Sequence, residues 1–359
     1  MKPVLFVTGH APAYRVGALA RLHEREQIEL ALFGGRSTHG GADFNGELPF
    51  PHRRVQPREL YALAASGRYR AVVCSTGGRL APLAAWAGAR RARVPLILWA
   101  SLWAHPRTAA HALSYVALMR LYRSADAVVT YGPHVSAYVS AHGARNVHVA
   151  PQAVDNDFWR SAEVSPPGDS RWPASAGTRF LFVGRPVPEK GAAVLLDAWR
   201  AAGLDPSSAA LALAGVGDGY APAPVVCLGP LAPEGLRDVY AASDVLVVPS
   251  VTTRTFREPW GLVVNEAMNQ QLATIATDSV GAAAGGLVRD GHNGLIVPAG
   301  DSHALAGAIA RLAKDPALRD RLGRAGGQDV LAYSHEAWAE GFSRALVSLG
   351  VSGSVGSVE

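Results

Sequence analysis

Short, almost unbroken apolar runs recur along the first half of the chain, each closing on small or turn-forming residues. Val4 to Thr8 flows into Gly9-His10-Ala11-Pro12, Ile28 to Phe33 closes on Gly34-Gly35, and Ala71 to Cys74 ends in Ser75-Thr76-Gly77-Gly78. Pro95 to Trp99, Ala127 to Thr130 and Val147 to Ala150 follow the same rule. Runs of this length between turn signals read as buried strands. Stretches with helical spacing lie between them: from Arg15 through Leu19 and Leu22, Leu60 to Ala65, Ala81 to Ala87, Ala112 to Arg123 and Val135 to His142. Gly40-Gly41 and the polar stretch to Asn45 predict a loop. Strand, loop and helix repeated at this spacing predict a parallel sheet with helices on both faces.

A Pro-, Gly-, Ser- and Ala-rich segment, Ser165 to Gly177, is the expected linker, because the pattern restarts beyond it. Phe180 to Val183, Ala209 to Ala214, Val225 to Leu228, Val245 to Val248 and Thr274 to Ala276 read as strands, with Ala192 to Trp199 the first helix among them. Gly281 to Gly286 reads as a small-residue loop, and Asp290 to Gly294 as a tight turn before Leu295-Ile296-Val297. Helices are expected at Ser302 to Lys314, Pro316 to Leu331 and Glu336 to Leu349, the last with Trp338, Phe342 and Leu346 on one face. The expected division is therefore 1–165, a second Rossmann-like domain at 178–335, a closing helix at 336–349 and a disordered Ser/Gly tail at 350–359.

Composition changes this picture little; charge changes it more. At 359 residues the chain is too long for one ordinary core. Its two cysteines, Cys74 and Cys227, match neither a disulfide framework nor a metal cluster, which fits a reduced cytosolic setting. The N-terminus reads as a strand, not a signal peptide, and no run approaches the roughly 20 apolar residues of a spanning helix. The net charge of +5 is uneven: residues 1–165 carry 19 Lys/Arg against 10 Asp/Glu, and the remainder 15 against 19. A basic first half favours an acidic partner, such as a phosphorylated substrate or an anionic membrane surface, though it also suits an ordinary solvated surface. Nucleic acid is not expected.

The candidate chemistry lies in loops at strand ends, where open α/β sheets place ligands. In the first half the loop after Trp99 carries His105, read either as a cleft residue or as a structural histidine. In the second half Arg185 and Lys190 flank the entry to a helix, where cations and backbone amides act together on a diphosphate. Glu258 precedes Pro259-Trp260-Gly261-Leu262 at the mouth of a helix, and Glu266 lies eight residues on, about two turns along. Carboxylates so placed suit the hydroxyls of a ligand, or else one caps the helix and the other is solvated. The Gly215-Val216-Gly217-Asp218-Gly219 turn is weak as a dinucleotide signal. No His, Cys, Asp or Glu grouping has the spacing of a metal site.

The segment Glu258 to Glu266 resembles the paired-glutamate signature of family-4 retaining glycosyltransferases of the GT-B fold. The similarity extends to Gly184-Arg185, to Glu189-Lys190-Gly191, to the Gly215–Gly219 turn, to Asp244 through Ser250 and to Gly291 through Pro298 with Asp301, covering residues 178–330. The resemblance implies two facing Rossmann-like domains with parallel sheets, the closing helix returning to the first. It implies metal-independent transfer from a UDP-, GDP-, ADP- or dTDP-sugar to a glycan, lipid-linked or small-molecule acceptor. Arg185 and Lys190 would bind the donor diphosphate, Glu266 its ribose and Glu258 its sugar hydroxyls, helped by amides around Trp260, Gly261 and Leu262. Gly17 resembles the glycine of the first loop that approaches the diphosphate, and His105 loosely matches a loop histidine. The implied setting is cytoplasmic, with peripheral contact at the inner face of the membrane. Two departures stand out: Gln271 and Ala273 replace the family's usual glycine and proline. A nucleotide-sugar epimerase or hydrolase of similar fold, or a non-catalytic nucleotide-binding protein, is the competing reading.

Overall fold

The computed structural model describes residues 1–34, 47–78, 80–161 and 177–353. The expected loop from Gly40 to Asn45, nearly all of the linker at 165–177 and the end of the expected tail lie outside these residues. Packing divides the chain into two compact units, residues 1–153 with residues 334 onward, and Val154–Tyr333. Residues 154–161, assigned to the first half by sequence, thus pack with the second.

The first unit is built from β1 (Val4–Thr8), α1 (Ala13–Glu26), β2 (Ile28–Leu32), β3 (His52–Arg54), α2 (Leu60–Ala64), β4 (Ala71–Ser75), α3 (Ala81–Ala92), β5 (Leu96–Ala100), α4 (Ala109–Ser124), β6 (Ala127–Thr130), α5 (Pro133–Ala141) and β7 (Val147–Val149). Its strands form one seven-stranded sheet in the order β3-β2-β1-β4-β5-β6-β7. Every pairing is parallel; Val4 lies opposite Ile28 on one side and Ala71 on the other. Successive side chains of a strand point to opposite faces. Val4 and Phe6 accordingly join a core with α1, while Leu5 and Val7 join a second core with α2, α3, α4 and α5. With helices over both faces, the strands are apolar throughout and carry no alternation. Strand β3 is the exception: its His-Arg-Arg is exposed and pairs only with β2 at the sheet edge, so no hydrophobic pattern marks it.

The second unit opens with α6 (Asn156–Arg160), capped by the Asp155 side chain, which accepts from the Phe158 amide at 3.0 Å. It continues with β8 (Thr178–Val183), α7 (Ala192–Ala202), β9 (Ala209–Ala214), β10 (Val226–Gly229), α8 (Pro233–Ala241), β11 (Val245–Val248), α9 (Val263–Asn269), β12 (Ala273–Thr277), α10 (Gly281–Ala284), β13 (Gly294–Val297), α11 (Ser302–Lys314) and α12 (Pro316–Asp329). Its parallel sheet has six strands in the order β10-β9-β8-β11-β12-β13. The α10 turn stands where the small residues predict a loop.

The closing helix α13 (His335–Ser348) belongs to the first unit and packs along α1. Its Trp338 and Phe342 meet Phe6 and Trp99, with ring centroids 5.4 to 6.2 Å apart. The Arg15 guanidinium sits over Trp99 and Trp338 at 5.4 and 5.3 Å, and its Nη2 donates to Gln152 Oε1 at 2.5 Å. A buried ion pair, Arg70 Nη2 to Glu26 Oε2 at 2.7 Å, holds the chain just beyond α13: Arg70 Nε donates to the Val351 carbonyl and the Gly353 amide to Glu26.

Candidate functional site

Strands β8 and β11 are neighbours in the second sheet, and the loops that follow them are stitched together. The chain after β8 passes Gly184 and the exposed Arg185, then makes a 3₁₀ turn at Pro188–Lys190. Gly191 follows with φ +70, and a Cβ there would stand 1.9 Å from the Pro249 carbonyl oxygen, so only glycine allows this approach. The Val251 amide donates to the Glu189 carbonyl at 3.0 Å across the same seam. This contact brings Lys190 Nζ to 2.5 Å from Glu258 Oε2. Glu258 is 7% exposed, and the Ser250 hydroxyl approaches the same oxygen at 3.4 Å. A carboxylate this buried is costly unless charge and donors meet it, and Lys190 supplies the charge.

The Glu258 loop is itself braced. Glu258 bridges to Val280, the Ala282 amide donates to the Trp260 carbonyl at 2.8 Å, and a Cβ on Gly281 would come within 2.0 Å of the Pro259 oxygen. Gly261 takes φ +94, which turns the chain into α9. Trp260 is buried rather than displayed, its Nε1 donating to Asn265 Oδ1 at 2.7 Å. Leu262 is the residue immediately before the helix.

Glu266 occupies the first turn of α9, a seven-residue helix, not a second turn as its spacing predicts. Its Oε2 accepts from the buried Tyr240 hydroxyl at 2.8 Å, and so α8 orients it. Burial pushes its carboxyl up to about 7, with the Tyr240 hydroxyl pulling the other way. The polar side chains of α9 also dock α6: Asn269 Nδ2 donates to Asn156 Oδ1 at 2.8 Å, and Gln270 to the Trp159 carbonyl. Gln271 then takes the left-handed conformation, φ +58, at the place where the resemblance leads one to expect glycine. Ala273 keeps an amide that proline would lack, and that amide donates to the Asp244 carbonyl at 3.1 Å.

The other two candidates lie in the first unit. Gly17 is inside α1 rather than in the loop before it, and a Cβ there would meet the His335 ring at 2.5 Å. Helix packing therefore accounts for that glycine. His105 Nε2 bonds the His111 carbonyl at 2.9 Å, and its ring stands edge-on to Tyr115 with centroids 4.8 Å apart.

The structure thus joins Lys190 to Glu258, with Arg185 on the Lys190 loop and Glu266 the fourth residue of α9, the helix that follows the Glu258 loop. Sequence reasoning missed Ser250, Tyr240 and Asn265. Ser250 was visible as the polar residue closing the β11 run, whereas Tyr240 carries no local signal because its partner is on another helix. Among the described residues, no group of three or more His, Cys, Asp or Glu is placed to hold a metal ion.

Residues 177–315, which contain Arg185, Lys190, Glu258 and Glu266, match the family model described as "Glycosyl transferases group 1". This part of the chain is related to the group 1 glycosyl transferases. A phosphatidyl-myo-inositol mannosyltransferase of Mycobacterium leprae is 32% identical over 187 residues, 50% of this chain and 48% of that protein. A D-inositol 3-phosphate glycosyltransferase of Kribbella flavida is 36% identical over 114 residues, 31% of this chain and 24% of that protein. The chain therefore spans half or less of the length of these relatives. Among solved structures, Anabaena HepE in complex with UDP and glucose superposes with a TM-score of 0.73 at 17% identity, over 97% of this chain and 100% of that one. Sucrose-phosphate synthase from Thermosynechococcus elongatus gives 0.73 at 22% identity, over 98% and 99%. The fold is GT-B, two parallel sheets each flanked by helices.

Proposed function

We propose that this chain is a retaining glycosyltransferase that takes a sugar from a nucleotide-sugar donor held by its second unit. The observation that carries this reading is the Lys190–Glu258 contact at 2.5 Å, made where two adjacent parallel strands end. Lys190 and Arg185 neutralise the diphosphate as charge develops on the leaving oxygen. Glu258, held by Lys190 and Ser250, accepts from the sugar hydroxyls, with backbone amides around Trp260, Gly261 and Leu262 beside it. Glu266, oriented by Tyr240, accepts from the ribose. His105 orients the donor sugar or the acceptor from the loop after β5. UDP-sugars are the first donors to test, since HepE was solved with UDP.

The acceptor is anionic. The 19 basic against 10 acidic residues of positions 1–165 support this, as do the phosphorylated inositols named in both curated relatives. An acceptor carried on a lipid would be met at the inner face of the membrane. No helix of the described residues is long and apolar enough to cross one.

Calorimetry with UDP, GDP, ADP and dTDP, followed by mass analysis of products from the matching sugar donors, tests the reading. A charge-assisted hydrogen bond is worth about 1.5–3 kcal/mol, so Lys190→Ala weakens the best nucleoside diphosphate about ten- to a hundredfold. A glycoside formed only when acceptor is present supports the transferase. Product formed without acceptor identifies an epimerase or hydrolase instead, and nucleotide binding without turnover a non-catalytic protein. Unchanged affinity in Lys190→Ala overturns the donor site.

A further inference from the structure

Arg15, in the first turn of α1, is 3% exposed, and the proposed donor site makes no use of it. A guanidinium so far removed from water ordinarily has a carboxylate beside it, because a buried charge without a countercharge is costly. Arg15 has none among the described residues. The first turn of α1 holds no acidic residue, and the acceptor that meets Nη2 is the neutral amide oxygen of Gln152. Its other terminal nitrogen, Nη1, is buried with no hydrogen-bond partner. The charge sits over the rings of Tyr14, Trp99 and Trp338 at 5.1, 5.4 and 5.3 Å. Ring faces attract a cation, but they give the two N–H groups of Nη1 no lone pair in the guanidinium plane.

The polar groups around Arg15 come from the carboxyl ends of parallel strands, where open sheets bind ligands. Arg15 follows β1, Ser101 directly follows β5, Tyr131 directly follows β6, and Gln152 lies three residues past β7. The Tyr131 ring stands 5.7 Å from that of Trp99. Burial pushes its phenol up to about 12, with the Arg15 charge and the Ser101 hydroxyl pulling the other way, so near neutrality Tyr131 keeps its proton and can donate. Two unpaired N–H groups, a phenol and a serine hydroxyl are what the oxygens of an anion require. Trp99 and Trp338 are buried, whereas Tyr14 is 39% exposed. An anion therefore reaches the guanidinium past Tyr14, an exposed ring that turns aside by a rotamer change.

We propose that Arg15 Nη1, with the Tyr131 hydroxyl, binds the oxyanion of the acceptor, a phosphate or a carboxylate. This rests on the reading of an anionic acceptor and assigns the residue that recognises its charge. Arg15 is thereby a specificity-determining residue: the acceptor brings the countercharge that the chain itself does not supply. An uncharged analogue leaves the Nη1 groups unpaired and is rejected for that reason.

Calorimetry on the full chain saturated with UDP, titrated with inorganic phosphate in one arm and acetate in the other, tests this. UDP fills the proposed diphosphate site, so the anion measured is bound elsewhere. Phosphate binding points to a phosphorylated acceptor, and acetate binding without phosphate binding to a carboxylate. Arg15→Met, which keeps an apolar stem against the two tryptophans, lowers the affinity at least about tenfold, the loss of one charge-assisted bond. In anion-free buffer it melts no lower than wild type, because it removes a buried charge without a countercharge. Tyr131→Phe keeps the ring, weakens the anion and leaves UDP affinity unchanged. Neither anion bound, or the same affinity in wild type and Arg15→Met, overturns the proposal and makes Arg15 a packing residue; with UDP still bound, the donor reading stands. Should Arg15→Met not fold, Tyr131→Phe decides, and unchanged anion affinity there overturns the proposal. If UDP does not bind, the donor reading falls, and phosphate titrated into Lys190→Ala with and without Arg15→Met still tests Arg15.

Discussion

With its carboxyl pushed up to about 7 by burial, Glu266 changes charge near neutrality, and two outcomes follow. Its folded-state value lies above the ordinary 4.5, so ionisation costs the folded chain. That cost is absent below the ordinary value, grows as pH rises and is complete above about 7. Glu266→Gln, which keeps an acceptor for Tyr240, therefore stabilises the chain at pH 8 by about 3 kcal/mol at most, read as a higher melting temperature, and the gain shrinks toward pH 5. On the proposed function, wild-type affinity for the nucleoside falls from pH 8 to pH 6 more steeply than that of Glu266→Gln, by calorimetry. Gln271 is strained for a different reason. A β-carbon at φ +58 crowds the backbone, an arrangement glycine takes freely. Gln271→Gly should stabilise the chain by roughly 0.5–1 kcal/mol, read as a shift in the urea midpoint at constant slope.

At the scale of elements, the Lys190 loop depends on one close approach. A methyl on Gly191 would collide with the Pro249 carbonyl, a backbone atom at the end of β11 that cannot rotate away. Gly191→Ala is expected to push the loop off the strand end and separate Lys190 from Glu258. Nucleoside diphosphate affinity should fall about tenfold or more, as for loss of one charge-assisted bond, while α7 keeps its helical content by circular dichroism. An unchanged affinity would show that the seam does not position Lys190. The short helix α9 illustrates the converse dependence. Seven residues are too few for a stable isolated helix, and Asn265, Asn269 and Gln270 fasten it to Trp260 and α6.

For the whole molecule, α13 is part of the first core although the whole second unit separates it in sequence from the strands it covers. Trp338 is fully buried, touches Phe6, Trp99 and Phe342, and lies beneath Arg15. Trp338→Ala should cost about 3–5 kcal/mol, seen by denaturant unfolding followed through the first unit's remaining tryptophans. Val351 and Gly353 beyond it are held by Arg70 and Glu26, both nearly removed from water.

The sequence by itself determined most strands and helices, since a strand buried on both faces must be apolar along its length. Val4–Thr8, Ala71–Cys74 and Val245–Val248 were legible for that reason. The exposed strand His52–Arg54 was not, because an edge strand is held by backbone hydrogen bonds that leave no mark on side-chain polarity. Charged and glycine residues at strand ends also announced a candidate site, and the local order Glu258, Pro259, Gly261, Glu266 carried the resemblance. Only tertiary structure decided that Lys190 meets Glu258, that Tyr240 holds Glu266, that Gly17 serves a helix contact and that residues 154–161 pack with the second unit. Each of these is a contact between segments remote in sequence, selected by the adjacency of β8 and β11, of α8 and α9, of α1 and α13, or of α6 and α9. Residue spacing encodes the period of an element; which elements become neighbours is settled by the burial of the whole.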